Sequence, residues 1–200
     1  MTKSPPESSP PESLSSQTGL QLVLMRHAKS DWADEDLSDH DRPLNKRGLR
    51  DAPRMARWIA ESGLLPTHIL CSSATRTQQT AMLMQSYWDN TKLETAHLHV
   101  IPELYLAPGD AILEIVCNDF ANSIENSGNQ PRTVLVLAHN PGISYAASAL
   151  LEHAIGLSTA AMVAFRCDVP RWSVPLTAEN TRYLAEMKPK GLDRDARPQT

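Results

Sequence analysis

The chain has 200 residues, 41% of them hydrophobic and 21% charged, with a formal net charge of −4. That size suits one domain with tails and a sizeable core. The acidic balance speaks against a partner that is nucleic acid or an anionic membrane. No apolar run reaches membrane length, and the N-terminus lacks the apolar core of a secretory leader. Cys71, Cys117 and Cys167 are far apart and show no metal-ligand spacing, so they read as buried free thiols in a reducing, cytoplasmic compartment.

Residues 1–18 are dominated by Ser, Pro and Glu and are expected to form a disordered tail. A domain over 19–187 is expected to follow. The polar stretch 188–200, with Pro189 and Pro198, is expected to fray or lie along the surface. Within the domain the first predicted strand is Leu20–Arg26. A loop rich in Asp and Glu follows, and then a helix over Lys46–Ser62. Asn45 is its expected N-cap and Gly63 its C-terminal stop. Leu49, Ala52, Ala56, Ile59 and Ala60 make its apolar stripe, and Pro53 predicts a kink rather than a break.

A strand over Thr67–Cys71 leads to a helix over Thr75–Tyr87, with Ser72 or Ser73 as the expected cap. A strand over His97–Ile101, a helix over Asp110–Asn122, a strand over Thr133–Ala138 and a helix over Ile143–Leu151 come next. Ala161–Arg166 and Arg171–Val174 could close the domain as a hairpin. The alternation predicts an α/β fold with a mostly parallel sheet, helices on both faces and an antiparallel edge.

Four side chains converge on one edge of that sheet. Arg26 and His27 end the first strand, His139 ends the fourth, and Arg76 sits in the first turn of the helix that follows the second. In open α/β sheets, ligands bind at the carboxyl ends of the strands. Two histidines with two arginines suit a tetrahedral dianion attacked by a nitrogen nucleophile. No metal set, nucleotide-type Gly-rich loop or Gly-x-Ser-x-Gly elbow is evident.

The segments that carry this set resemble the histidine phosphatase superfamily. They are Leu24-Met25-Arg26-His27-Ala28-Lys29-Ser30, Cys71-Ser72-Ser73-Ala74-Thr75-Arg76-Thr77-Gln78-Gln79-Thr80 and Leu137-Ala138-His139-Asn140-Pro141. Asp41-Arg42-Pro43-Leu44 with Gly48, and Pro102-Glu103-Leu104, match its small SixA-type phosphohistidine phosphatases. Ala28 departs from the broader superfamily, in which many members carry Gly. The resemblance implies a phosphoglycerate mutase-like fold of three layers and a metal-independent phosphatase without a cofactor. His27 would attack phosphorus and become phosphohistidine. Arg26, Arg76 and His139 would bind the phosphoryl oxygens.

Glu103, just after a strand, is a candidate general acid, beside the simpler reading of a structural loop carboxylate. Arg42 is a candidate phosphate or rim contact, or else pairs with nearby aspartates. Between His27 and Arg76 lie 48 residues, and between Glu103 and His139 lie 35, leaving no room for a large cap over the site. An open site favours phosphohistidine on a signalling protein as substrate. A phosphatase of small phosphoesters or phosphoramidates, and a non-catalytic phosphate-binding module, are the competing readings. A mutase lacks an evident extra segment. His40, His68, His97, His99 and His153 read as surface or core histidines. Asp31, Asp34, Glu35, Asp36, Asp39 and Asp41 read as a solvated face, while Met25, Met55, Met82 and Met84 read as core filler. The sequence leaves the oligomeric state open.

Overall fold

A computed structural model describes residues 19–93, 96–124 and 132–195. The tail expected over 1–18 lies outside the described residues, as do 196–200. Strands β1 (Leu20–Arg26), β2 (His68–Ser72), β3 (His97–Ile101), β4 (Thr133–Ala138), β5 (Met162–Cys167) and β6 (Thr181–Met187) form one sheet in the order β3-β2-β4-β1-β5-β6. β1 to β4 pair in parallel, whereas β5 runs antiparallel to both β1 and β6. The mixed α/β sheet with an antiparallel edge matches the expectation from the alternating pattern.

Central β1 and β4 are apolar on both faces because helices cover both. One face of the sheet carries Leu22, Leu24, Leu70, Val134 and Val136 against α3 (Gly109–Glu114), α5 (Gly142–Leu151) and Trp172. The other carries Val23, Met25, Ile69, Leu135 and Leu137 against α1 (Lys46–Glu61) and α2 (Thr75–Asn90). Adjacent residues of one strand thus serve two separate cores, as the pleat requires.

Helix α1 starts where Asn45 Oδ1 accepts the Gly48 N–H at 3.0 Å. It runs unbroken through Pro53 and ends before Gly63, whose φ of 71° is the left-handed stop. Its buried stripe is Gly48, Asp51, Ala52, Met55, Ala56 and Ile59; Leu49, expected inside, is 48% exposed. Gly48 takes an inward place because a Cβ there would strike the carbonyl of Lys29. The helix predicted over Asp110–Asn122 is one continuous run. α3 passes through a π-helical segment, Ile115–Phe120, into α4 (Ala121–Ile124).

Three further expectations are corrected. Arg171–Val174 forms a turn, in which Val174 N–H reaches the Arg171 carbonyl at 3.3 Å. Its apolar character serves to bury Trp172 rather than to build a ladder. The antiparallel partner of β5 is β6, whose mixed polar sequence fits a half-exposed edge. Of the two expectations for the polar stretch after 187, fraying is the one overturned through 195. The stretch forms α6 (Pro189–Asp195) beside α1, with Leu192 packed into the second core. Met82, read as core, is 60% exposed, whereas Met25, Met55 and Met84 are fully buried.

Candidate active site

The carboxyl ends of β1 and β4 lie side by side, with Arg26 in register with Ala138. His27 and His139 therefore leave the sheet as neighbours, their ring centroids 5.0 Å apart. The end of β1 is fixed from several sides. His27 N–H donates to the Ala138 carbonyl at 3.2 Å, and Ala160 N–H bridges the carbonyls of Arg26 and His27 at 3.1 and 3.0 Å. Ala28 N–H donates to Thr80 Oγ1 at 3.1 Å, whose hydroxyl donates to the Arg76 carbonyl at 2.7 Å. Thr80 thus ties the loop after His27 to the helix that carries Arg76.

His27 is 6% exposed, and its Nδ1–H donates to the Ala28 carbonyl at 2.7 Å. That bond fixes the tautomer with Nε2 as the bare lone pair. Burial, helped by the Arg76 and Arg26 charges, lowers its pKa to about 4 against the opposing Ala28 bond and Asp39. At neutral pH the ring is a neutral nucleophile. His139 is 2% exposed and lowered to about 3, by burial first and then by His27 and Arg76. Arg76 Nη2 lies 3.2 Å from His139 Nδ1, and Ser72 Oγ lies 2.8 Å from its Nε2. A guanidinium can only donate, so Nδ1 accepts and the Nε2–H is given to Ser72.

Arg76 is 4% exposed and held at its far end by Asp39. Nη2 donates to Asp39 Oδ2 at 2.8 Å, and Nη1 donates to the Asp39 carbonyl. Arg26 Nη1 reaches the Leu157 carbonyl at 3.2 Å, while among the described residues its buried Nε has no partner. Burial, followed by the Arg76 charge, lowers the Arg26 pKa. The structure thus brings Arg26, His27, Arg76 and His139 together on the predicted edge.

The remaining candidates, Arg42 and Glu103, show contacts of another kind. Arg42 lies over the Trp32 ring, 4.3 Å from its centroid, and donates to the Asp34 carbonyl at 3.0 Å. It braces its own loop, and its partner there is a carbonyl rather than the expected carboxylate. Trp32 is 59% exposed and also packs that loop, with its Nε1–H on Ser30 Oγ at 3.1 Å. Glu103 is exposed on the 3₁₀ turn Pro102–Leu104.

Three residues at the site escaped sequence reasoning as site residues. Tyr105 places its ring edge-on to His139, with centroids 5.4 Å apart, and its hydroxyl donates to Asp39 Oδ2 at 2.9 Å. Asp39, read as one of a solvated acidic run, turns inward onto Arg76. His40 contacts Ser73 Oγ at 3.0 Å through Nε2 and packs edge-on against Tyr105. The expected capping serines are therefore used differently. Ala74 is the N-cap of α2 and makes no side-chain cap, while Ser72 serves His139 and Ser73 serves His40. Among the described residues, no group of three or more His, Cys, Asp or Glu could hold a metal ion.

Residues 22–99 match the family model of the histidine phosphatase superfamily, branch 1. The chain belongs to the histidine phosphatase superfamily. An uncharacterised chloroplastic protein of Arabidopsis thaliana is 37% identical over 147 residues, 72% of this chain. An uncharacterised protein of Mycobacterium tuberculosis is 36% identical over 121 residues, 60% of this chain. The match spans 65% of each relative's own length.

Among solved structures, a protein assigned as the phosphohistidine phosphatase SixA of Agrobacterium tumefaciens is similar with a TM-score of 0.66 and 22% identity. The match covers 86% of this chain and 99% of that one. The protein histidine phosphatase SixA complexed with tungstate gives 0.64 and 23%, covering 86% and 99%. A phosphoserine phosphatase of Entamoeba histolytica gives 0.55 and 14%, covering 84% and 97%. This superfamily member therefore shares its fold with SixA and phosphoglycerate mutase-like proteins. Among the described residues, no helix is long and apolar enough to cross a membrane.

Proposed function

We propose that the protein is a metal-independent phosphatase that works through a phosphohistidine on His27 and acts on phosphohistidine in proteins. The observation that carries this reading is the fixed His27 tautomer beside two arginines and a second histidine. Nε2 of His27 attacks phosphorus in line, and the bond from phosphorus to the leaving group breaks as the new P–N bond forms. Arg26 and Arg76 hold the phosphoryl oxygens and oppose the charge gathered on them. Water then attacks the phosphorus, the P–N bond to His27 breaks, and phosphate leaves with His27 restored.

His139 joins this work by changing its protonation. Buried, and beside His27 and the Arg76 charge, it is neutral in the free protein. A dianionic phosphoryl group placed against it favours the charged form; the added proton goes to Nδ1, which donates to a phosphoryl oxygen once that oxygen replaces the Arg76 Nη2 contact. Substrate binding is thus coupled to proton uptake.

Phosphohistidine is favoured because a protonated imidazole leaves without a further proton donor. The exposed position of Glu103 fits such a leaving group better than an alkoxide. The short connections around the site fit a protein substrate. Cys71, Cys117 and Cys167 are buried as free thiols, which suits the cytoplasm. Turnover of a phosphohistidine-bearing phosphotransfer protein and of a small sugar phosphate, compared under steady-state conditions, tests the substrate assignment. The expected result is preference for the former. Efficient turnover of the sugar phosphate with none of the phosphoprotein would overturn it.

A further inference from the structure

The carboxylate of Asp39 stands where a phosphate-binding site should least tolerate negative charge. Its Oδ2 accepts from Arg76 Nη2 at 2.8 Å and from the Tyr105 hydroxyl at 2.9 Å. The same Nη2 reaches His139 Nδ1 at 3.2 Å, so one guanidinium nitrogen links the carboxylate to the oxygen-binding histidine. Asp39 is not on a loose arm. The backbone after it is pinned to the start of α2, where Thr75 N–H donates to the His40 carbonyl at 3.0 Å. His40 adds its contacts with Ser73 and Tyr105.

Among the described residues, the other oxygen of Asp39, Oδ1, makes no hydrogen bond, and the side chain remains 43% exposed. An anionic oxygen beside Arg76 and His139 is therefore left available to a further donor. Burial alone would raise the Asp39 carboxyl. Hydrogen bonds from Tyr105 and Arg76, with the Arg76 charge, outweigh burial and hold it below the ordinary range. The titratable and charged groups acting on it are Arg76 from α2, Tyr105 after β3, His139 after β4 and His27 after β1.

Such a carboxylate discriminates between substrates by charge. A phosphate ester dianion, or product phosphate, brings only negative charge toward it. Phosphohistidine protonated on its distal nitrogen brings a positive ring and an N–H donor. We propose that Asp39 is a specificity-determining residue, whose carboxylate accepts the distal N–H of a protonated phosphohistidine and disfavours dianionic phosphate esters. This rests on the phosphatase reading above and names its leaving group. As His27 Nε2 bonds to phosphorus, the P–N bond to the substrate ring breaks and its electron pair returns to the leaving nitrogen. The distal nitrogen already holds a proton, so the ring departs as neutral imidazole. Asp39 keeps that proton on the ring until the bond breaks.

Three variants of the full chain test this: Asp39→Asn, Asp39→Ser and the charge-retaining Asp39→Glu. kcat/KM is measured for phosphohistidine and for p-nitrophenyl phosphate, together with inhibition by inorganic phosphate. In D39N the ratio of phosphohistidine to ester turnover is expected to fall by ~10-fold or more, the scale of one lost charge contact. Phosphate should bind more tightly, by ~3-fold or more, once the carboxylate no longer repels it. D39S should behave alike and serves if D39N does not fold, while D39E, which keeps the charge, should retain more of the phosphohistidine-to-ester ratio than D39N. An equal fall on both substrates would mark Asp39 as merely structural and overturn the proposal, as would D39E behaving like D39N. Unchanged phosphate affinity in D39N overturns it even if no phosphoenzyme forms on His27. Failure to form that phosphoenzyme would instead count against the phosphatase mechanism.

Discussion

Two groups of histidines occupy opposite ends of the same parallel strands. His27 and His139 lie at the carboxyl ends of β1 and β4, 5.0 Å apart. His68, His97 and His99 lie toward the amino ends of β2 and β3, where His68 is 5.1 Å from His97 and stacked on His99 at 5.3 Å. Burial is the leading cause of the lowered pKa values of His27 and His139 at one end and of His68 and His99 at the other, to about 4 for His27 and also about 4 for His68. Ring proximity and a lowered pKa therefore do not distinguish them.

Their company does. Both rings of the first group have a nitrogen fixed by a specific hydrogen bond, and Arg76 and Arg26 stand beside them. In the second group His68 and His99 pack edge-on against Phe120, His68 Nδ1 meets only the Thr67 hydroxyl at 3.2 Å, which fixes no tautomer, and among the described residues His99 Nε2 is buried without a partner. A histidine pair becomes a phosphoryl site when cations oppose the charge of the ligand and a defined tautomer aims one lone pair.

The largest break of this contrast is His27→Ala, expected to remove turnover altogether while the fold persists by circular dichroism. Arg76→Ala should lower kcat/KM by ~100- to 1,000-fold, the scale of losing a preorganised donor to a charged transition state. It would also leave Asp39 without its buried partner. Tyr105→Phe, which removes one hydroxyl from Asp39, should cost only ~3- to 10-fold. His99→Leu should leave kcat/KM within about twofold of the wild type, as expected for an edge packing change far from the site. A hundredfold loss there would contradict the distinction.

Proton titration sharpens it further. By NMR, the His27, His139 and His68 rings should titrate near 4, 3 and 4, below the unperturbed value of 6.5. Adding inorganic phosphate should raise the first two and leave His68 unmoved. The sign for stability follows from the lowered values. Unfolded histidines take up protons below about pH 6.5 while the folded rings resist until about pH 4. Stability from this source is therefore intact above pH 6.5 and falls between pH 6.5 and 4. A midpoint of denaturant unfolding that rises over that fall in pH would contradict the assignment.

The four central residues were legible because each follows a strand or opens a helix, and parallel topology sends strand ends to one edge. The core was legible for the same reason: β1 and β4 carry continuous apolar runs. Asp39 and Tyr105 were not, since both lie in irregular connections with no period to read. Asp39 in particular resembles its solvated neighbours Asp34 and Asp36 until the fold brings Arg76 within 2.8 Å. β6 was missed because an edge strand with half its residues exposed needs no apolar run. Trp172 misled for the opposite reason, being deeply buried from a turn.

Trapping of the intermediate decides whether His27 carries the phosphoryl group. The full chain is mixed with a labelled phosphohistidine donor and quenched within the first turnover. A labelled protein adduct, labile to acid and stable to base, is expected to map to His27 and to be absent from His27→Ala. Turnover at an undiminished rate in His27→Ala, or a label on another residue, would contradict this role of His27.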